Sequence, residues 1–83
     1  MYREGKMNLL DVRPGQKTVL KDFSSNQSVH FKLLSLGVLP GDQVEVMGRA
    51  PFGGPISIKH GSQTFFALRR NEAKLIDVEI QES

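Results

Sequence analysis

This sequence predicts a mainly β fold: a small closed barrel of about five or six short antiparallel strands, one amphipathic helix and one short helical turn. Three observations predict it. Short apolar–polar alternations recur along the chain, separated by Gly- and Pro-rich turns. A single segment, before Gly37, switches to a helical period. The chain has 83 residues, the length of one domain, and an open sheet of that size would leave two edges prone to aggregation. Hydrophobic residues make up 39% of the chain, enough to set it apart from disordered sequences.

The elements follow in order. Residues 1–6 are polar and are expected to be a flexible extension, with residues 7–83 forming the domain. Leu10 and Val12 alternate as an extended segment. Arg13-Pro14-Gly15-Gln16 fits a type II turn, because Pro presets φ at the second position and Gly supplies positive φ at the third. Thr18, Val19 and Leu20 resume an extended run to about Phe23.

Ser24 or Ser25 is expected to cap a helix over about residues 25–36. Its apolar positions Val29, Leu33 and Leu36 are spaced i, i+4, i+7; Phe31 and Leu34 widen the stripe, while His30, Lys32 and Ser35 lie off it. Gly37 ends the helix in the left-handed conformation, and Val38 is placed to pack back on the last turn.

Leu39-Pro40-Gly41-Asp42 repeats the Pro-Gly turn, so VRPGQKTV and VLPGDQVEV read as one turn used twice rather than a duplication. Val44 and Val46 alternate with Glu45 and Met47, and Ile56 and Ile58 with Ser57 and Lys59. His60-Gly61-Ser62 reads as a tight hairpin connection leading into a strand over residues 64–68. A helical turn over about 70–74, with Asn71 as its cap, precedes a last alternating strand carrying Ile76, Val78 and Ile80.

Composition excludes several functions. The absence of Cys removes disulfides, thiolate metal sites and redox dithiols, and fits a reducing compartment. No apolar run reaches the roughly 18 residues a membrane span needs, so no direct membrane insertion is expected. MYREGKM leads into no long apolar stretch, so a secretory signal is not expected and the domain reads as cytoplasmic. Eleven basic against nine acidic residues give a net charge of only +2, weaker than a dedicated nucleic-acid binder shows.

The segments LLSLGVLPGDQVEV, RAPFGGPISI and ALRRNEAKLIDVEI together resemble the FeoA family of small ferrous-iron transport accessory proteins, over about Asn8 to Ile80. The resemblance implies an SH3-like β-barrel and a cytoplasmic, non-enzymatic role beside a membrane transporter of the FeoB type, which carries a guanine-nucleotide-binding domain. The same barrel also occurs as the C-terminal domain of metal-dependent transcriptional regulators, which supplies the alternative: a metal-responsive sensing module acting with such a regulator. In the loop the family often carries Leu where this chain has Phe52 and Asp where it has Gly54. Losing that Asp weakens any role of the loop as a carboxylate donor.

No cofactor, metal site or catalytic residue is expected. Ferrous iron favours several converging imidazoles and carboxylates. Here only His30 and His60 are available, with no spacing that joins them to an acid. His60-Gly61-Ser62 lacks an orienting acid, and PFGGP lacks the Lys-Ser/Thr and following helix of a phosphate-binding loop. Lys59, Arg69, Arg70, Phe65 and Phe66 could make a basic aromatic face, but strand alternation points at least one Phe inward, and no nucleic-acid partner is expected. The loop Arg49, Pro51, Phe52, Gly53, Gly54, Pro55 is the partner-binding candidate. Its prolines stiffen both ends, and Phe52 either projects or folds onto the barrel end. A weak homo-oligomer could form on an exposed strand edge or on Phe52.

Overall fold

The computed structural model describes residues 7–81. The expected flexible extension over 1–6 lies outside the described residues. The elements are β1 (Met7–Asn8), a 3-10 turn (Leu9–Asp11), β2 (Lys17–Asp22), α1 (Gln27–Ser35), β3 (Gln43–Arg49), β4 (Ile56–His60), β5 (Thr64–Leu68), α2 (Arg70–Ala73) and β6 (Asp77–Ile80). The strands make one antiparallel six-stranded sheet in the order β1-β6-β2-β3-β4-β5, the mainly β, SH3-like arrangement the sequence implied. Closure is not achieved by hydrogen bonding, since β1 and β5 are end strands with no ladder between them. The sheet instead wraps a single core that draws Leu20, Val44, Val46, Ile56, Ile58, Leu68 and Val78 from five strands.

At the centre of the sheet, β2 and β3 pair through Lys17↔Glu45, Thr18↔Val44 and Val19↔Gln43. Each strand is entered through a Pro-Gly turn, closed by Gln16 N–H to Arg13 O and Asp42 N–H to Leu39 O, both 3.0 Å. Gly15 and Gly41 carry φ of 92° and 94°, as type II turns require. Each turn also docks on the other strand. Gly15 N–H donates to Val46 O and Gly41 N–H to Leu20 O, both at 2.7 Å. Val46 N–H and Leu20 N–H return the bond to Gln16 O and Asp42 O. The repeated sequence therefore builds a local two-fold, with residue n of one arm answering residue n+26 of the other.

Helix α1 begins one or two residues later than expected. Ser24 is occupied by Asp22, whose Oδ1 accepts from both its N–H and its hydroxyl. The cap falls to Asn26, whose Oδ1 accepts from Val29 N–H at 3.1 Å. Gly37, at φ 83°, completes a Schellman ending, with its N–H on Leu34 O and Val38 N–H on Leu33 O. Val38 is fully buried, so the packing contact is made as the pattern required.

The buried face of α1 is narrower than its apolar stripe. Val29 and Leu33 are in the core, but Phe31 is 61% exposed, and Leu34 and Leu36 also face outward. His30 is half-buried, its ring set edge-on to the buried Phe23 at 5.7 Å. Lys32 is half-buried too, and its Nζ reaches Glu72 of α2 at 3.0 Å. A nine-residue helix laid on a tightly curved sheet buries one ridge, and the residues beside that ridge decide its edges.

Two other local readings change. Leu10 and Val12 are not in a strand. Asn8 Oδ1 accepts from Leu10 N–H, and Asp11 accepts from Asn8 N–H, so the polar residues wind the segment into a 3-10 turn that buries Leu9 and Val12. Asn71 does not cap α2; Arg69 does, with its N–H on Glu72 Oε1 at 2.9 Å. Phe23→Ala is expected to cost about 3–5 kcal/mol and Phe31→Ala less than about 0.5 kcal/mol, as read from urea unfolding midpoints.

Candidate functional site

The loop at residues 50–55 joins β3 to β4, which pair along five residues each, and Ala50 N–H to Pro55 O at 2.9 Å closes its neck. Inside the neck, Gly54 N–H donates to Pro51 O at 3.2 Å. The two central residues, Phe52 and Gly53, have φ of 59° and 77°, the sign pattern of a type I′ turn. Such turns favour Asn-Gly, because a Cβ in the left-handed region costs roughly 1–2 kcal/mol. Phe52 is the one non-glycine residue with positive φ among the described residues.

That strained residue is also the most exposed large apolar side chain among the described residues, fully open to solvent. Of the two sequence alternatives for Phe52, the projecting one holds. Gly54 is equally constrained: a Cβ there would sit 2.7 Å from Ala50 Cβ and 3.2 Å from Pro51 O. Any side chain, including an Asp, would force this turn to change shape.

The basic residues around the loop divide into two kinds. Arg49 is exposed at the end of β3, but its Nη2 donates to the carbonyls of Leu10 and Val12, at 2.8 Å for Val12. It ties the 3-10 segment to the sheet. Arg70, at the start of α2, reaches under the loop. A Cβ on Gly53 would lie 3.9 Å from Arg70 Nε, and that Nε is buried with no hydrogen-bond partner. Nothing in the sequence pattern signals this approach, because Gly53 and Arg70 meet only through the β4–β5 hairpin.

A second feature lies on the outer face of β2, β3 and β4, away from the core. It is an open groove of about 390 Å³ lined by Lys17, Asp42, Glu45, Lys59 and His60 among others. One histidine meets an acid here: His60 Nε2 lies 2.9 Å from Asp42 Oδ2. Antiparallel pairing of β3 with β4 sets Val44 opposite His60 and so brings the Pro-Gly turn residue within reach. His30 is elsewhere, on Phe23, and no cluster of three His, Cys, Asp or Glu comes together among the described residues. The groove lining contains no Ser, Thr or Cys to serve as a nucleophile.

Phe65 and Phe66 face opposite ways, as alternation demands. Phe66 packs on the core, and Phe65 is 62% exposed with Lys59 Nζ 5.8 Å from its ring centroid. A single exposed ring with one cation is not a stacking platform for successive bases.

The family model described as the FeoA domain matches residues 7–80. The chain belongs to the FeoA family. The family takes part in iron uptake. Among solved structures, the FeoA-like protein from Clostridium acetobutylicum superposes with TM-score 0.81 at 26% identity, covering 98% of this chain and 93% of that one. The FeoA protein from Chlorobium tepidum gives 0.82 at 29% identity over 92% of this chain and 71% of its own. A manganese-dependent transcriptional repressor shares the fold alone, at TM-score 0.81 and 21% identity, with 95% of this chain matched to 38% of that one.

Two outcomes follow from this geometry. Phe52→Asn puts a residue tolerant of the left-handed region on the turn and removes no buried surface. It is expected to raise the unfolding free energy by about 0.5–1 kcal/mol in urea titrations. Asp42 is held below the usual aspartate range, first by the Leu39 N–H, against opposing burial, and then by His60. Because the folded value is the depressed one, its contribution is present above about pH 4 and is lost as pH falls through the folded value. Asp42→Asn keeps an acceptor for Leu39 without the titration. Its unfolding midpoint is expected to fall less than that of wild type between pH 7 and pH 3.

Proposed function

We propose that this FeoA-family chain is a non-enzymatic, cytoplasmic accessory protein of ferrous-iron transport. It binds the cytoplasmic part of a FeoB-type membrane transporter through the loop of Pro51, Phe52, Gly53, Gly54 and Pro55, with Arg49 tying the base of that loop to the fold. The observation that carries the reading is Phe52, a solvent-exposed aromatic on a turn whose backbone is strained to hold it. Strain at one exposed residue gains the isolated domain nothing, and residues of this kind cluster at functional positions such as ligand clamps and switch regions. An aromatic anchor on a rigid loop loses little conformational freedom on docking.

Modulating the transporter requires that this contact be stronger in one state of its nucleotide cycle than in another. No helix among the described residues is long and apolar enough to cross a membrane. The metal-sensing alternative draws on likeness of fold to the repressors and on no cluster of ligands described here.

The test is binding of the purified chain to the isolated nucleotide-binding cytoplasmic part of a FeoB-type transporter, by calorimetry, in the presence of GDP and of a non-hydrolysable GTP analogue. Phe52→Ala is expected to weaken binding at least tenfold with an unchanged melting temperature. Equal affinity of Phe52→Ala and wild type would remove the loop from the interface.

A further inference from the structure

Beside the projecting aromatic lies a cation that the fold does not use. Lys21 pairs with Glu79 at 3.4 Å and Lys32 with Glu72 at 3.0 Å. Arg49 is committed to backbone carbonyls. Arg70 makes no such contact, and its Nε is buried without a partner. Leaving a buried donor unsatisfied is costly, more so when the group is charged, so native structures carry few of them. The helix does not need this guanidinium. The first turn of α2 is held by Glu72 on Arg69 N–H, not by the Arg70 side chain.

The surroundings of Arg70 are positive. Arg69 and Lys74 are exposed on either side of it, and Glu72, the acid of this turn, is engaged by the Arg69 N–H and by Lys32. Gly53 contributes no side chain; a Cβ there would lie 3.9 Å from Nε. The loop therefore presents an exposed ring and, one residue along, a glycine lying over an arginine whose Nε is buried without a partner among the described residues.

We infer that Phe52 and Arg70 form a two-point docking site for a carboxylate-bearing segment of a partner protein. This rests on the protein-binding reading of the loop and specifies the partner's chemistry. Phe52 enters an apolar socket on the partner. An Asp or Glu at the rim of that socket takes the Arg70 guanidinium, whose planar donors suit a carboxylate in bidentate contact. The ring supplies affinity, and the ion pair fixes which way the loop sits and rejects sockets rimmed by basic residues.

The experiment measures binding of the full chain to the nucleotide-binding part of a FeoB-type transporter at low and high salt, for wild type, Phe52→Ala, Arg70→Met and Arg70→Lys. Arg70→Met is expected to weaken binding at least tenfold, to flatten its salt dependence, and to leave the melting temperature unchanged or raised, because the buried unpaired donor is gone. Arg70→Lys is expected to restore only part of the affinity. If Phe52→Ala loses binding while Arg70→Met matches wild type, the carboxylate contact is wrong and the loop reading stands. If wild type itself does not bind, the transporter reading fails and takes this inference with it. Arg70-dependent binding to vesicles of anionic lipid or to a single-stranded oligonucleotide, without binding to the protein domain, would also overturn it. Should Arg70→Met fail to fold, the Nε–Hε NMR resonance of Arg70 in wild type gives the reading: it shifts on addition of the partner domain if the proposal holds and stays in place if it does not.

Discussion

The β2–β3 pair, locked at both ends by a Pro-Gly turn seated on the opposite strand, is the interaction on which the rest of the molecule depends. It occupies the middle of the sheet, with two strands on either side. Neither strand can slip in register without dislodging both turns, because Gly15 and Gly41 each donate at 2.7 Å to a fixed carbonyl across the ladder. In a domain this small, with modest total burial, register must come from such specific backbone contacts as well as from the core.

From that centre the end carrying the β3–β4 loop is built outward. Strand β3 continues past the pair into Gly48 and Arg49, where a bulge against β4 shifts the register before the loop begins. Arg49 then anchors the 3-10 segment to the same end of the sheet. The neck bond between Ala50 and Pro55 and the tight packing at Gly54 leave the loop little freedom. Phe52 is thus aimed by the scaffold rather than by contacts of its own. The positive φ at Phe52 is the backbone cost of holding the ring in that position.

The two arginines that flank the loop show how the same residue type serves opposite ends. Arg49 satisfies carbonyls that would otherwise lack donors and so belongs to the fold. Arg70 lies against the loop, and its buried Nε has no hydrogen-bond partner among the described residues. The groove with His60 and Asp42 is a third arrangement: its imidazole–carboxylate contact ties the β4 end to the second Pro-Gly turn, on a face lined with charges of both signs.

Much of this was set by local sequence. Strand alternation gave β2 to β6, the Pro-Gly pairs gave their turns, and Gly37 with Val38 gave the helix ending, because each depends on a few neighbouring residues and their backbone preferences. The resemblance carried by the loop and the Leu-Arg-Arg segment led to the family. What local pattern could not decide was which side chains face each other across the fold. The exposure of Phe31, the meeting of His60 with Asp42, the use of Arg49 as an internal tie and the approach of Arg70 to Gly53 all depend on strand register and sheet curvature. The direction of Phe52 likewise depended on the closed neck of its loop. Those are properties of the assembled sheet, where residues 17 or 39 positions apart in the chain become neighbours.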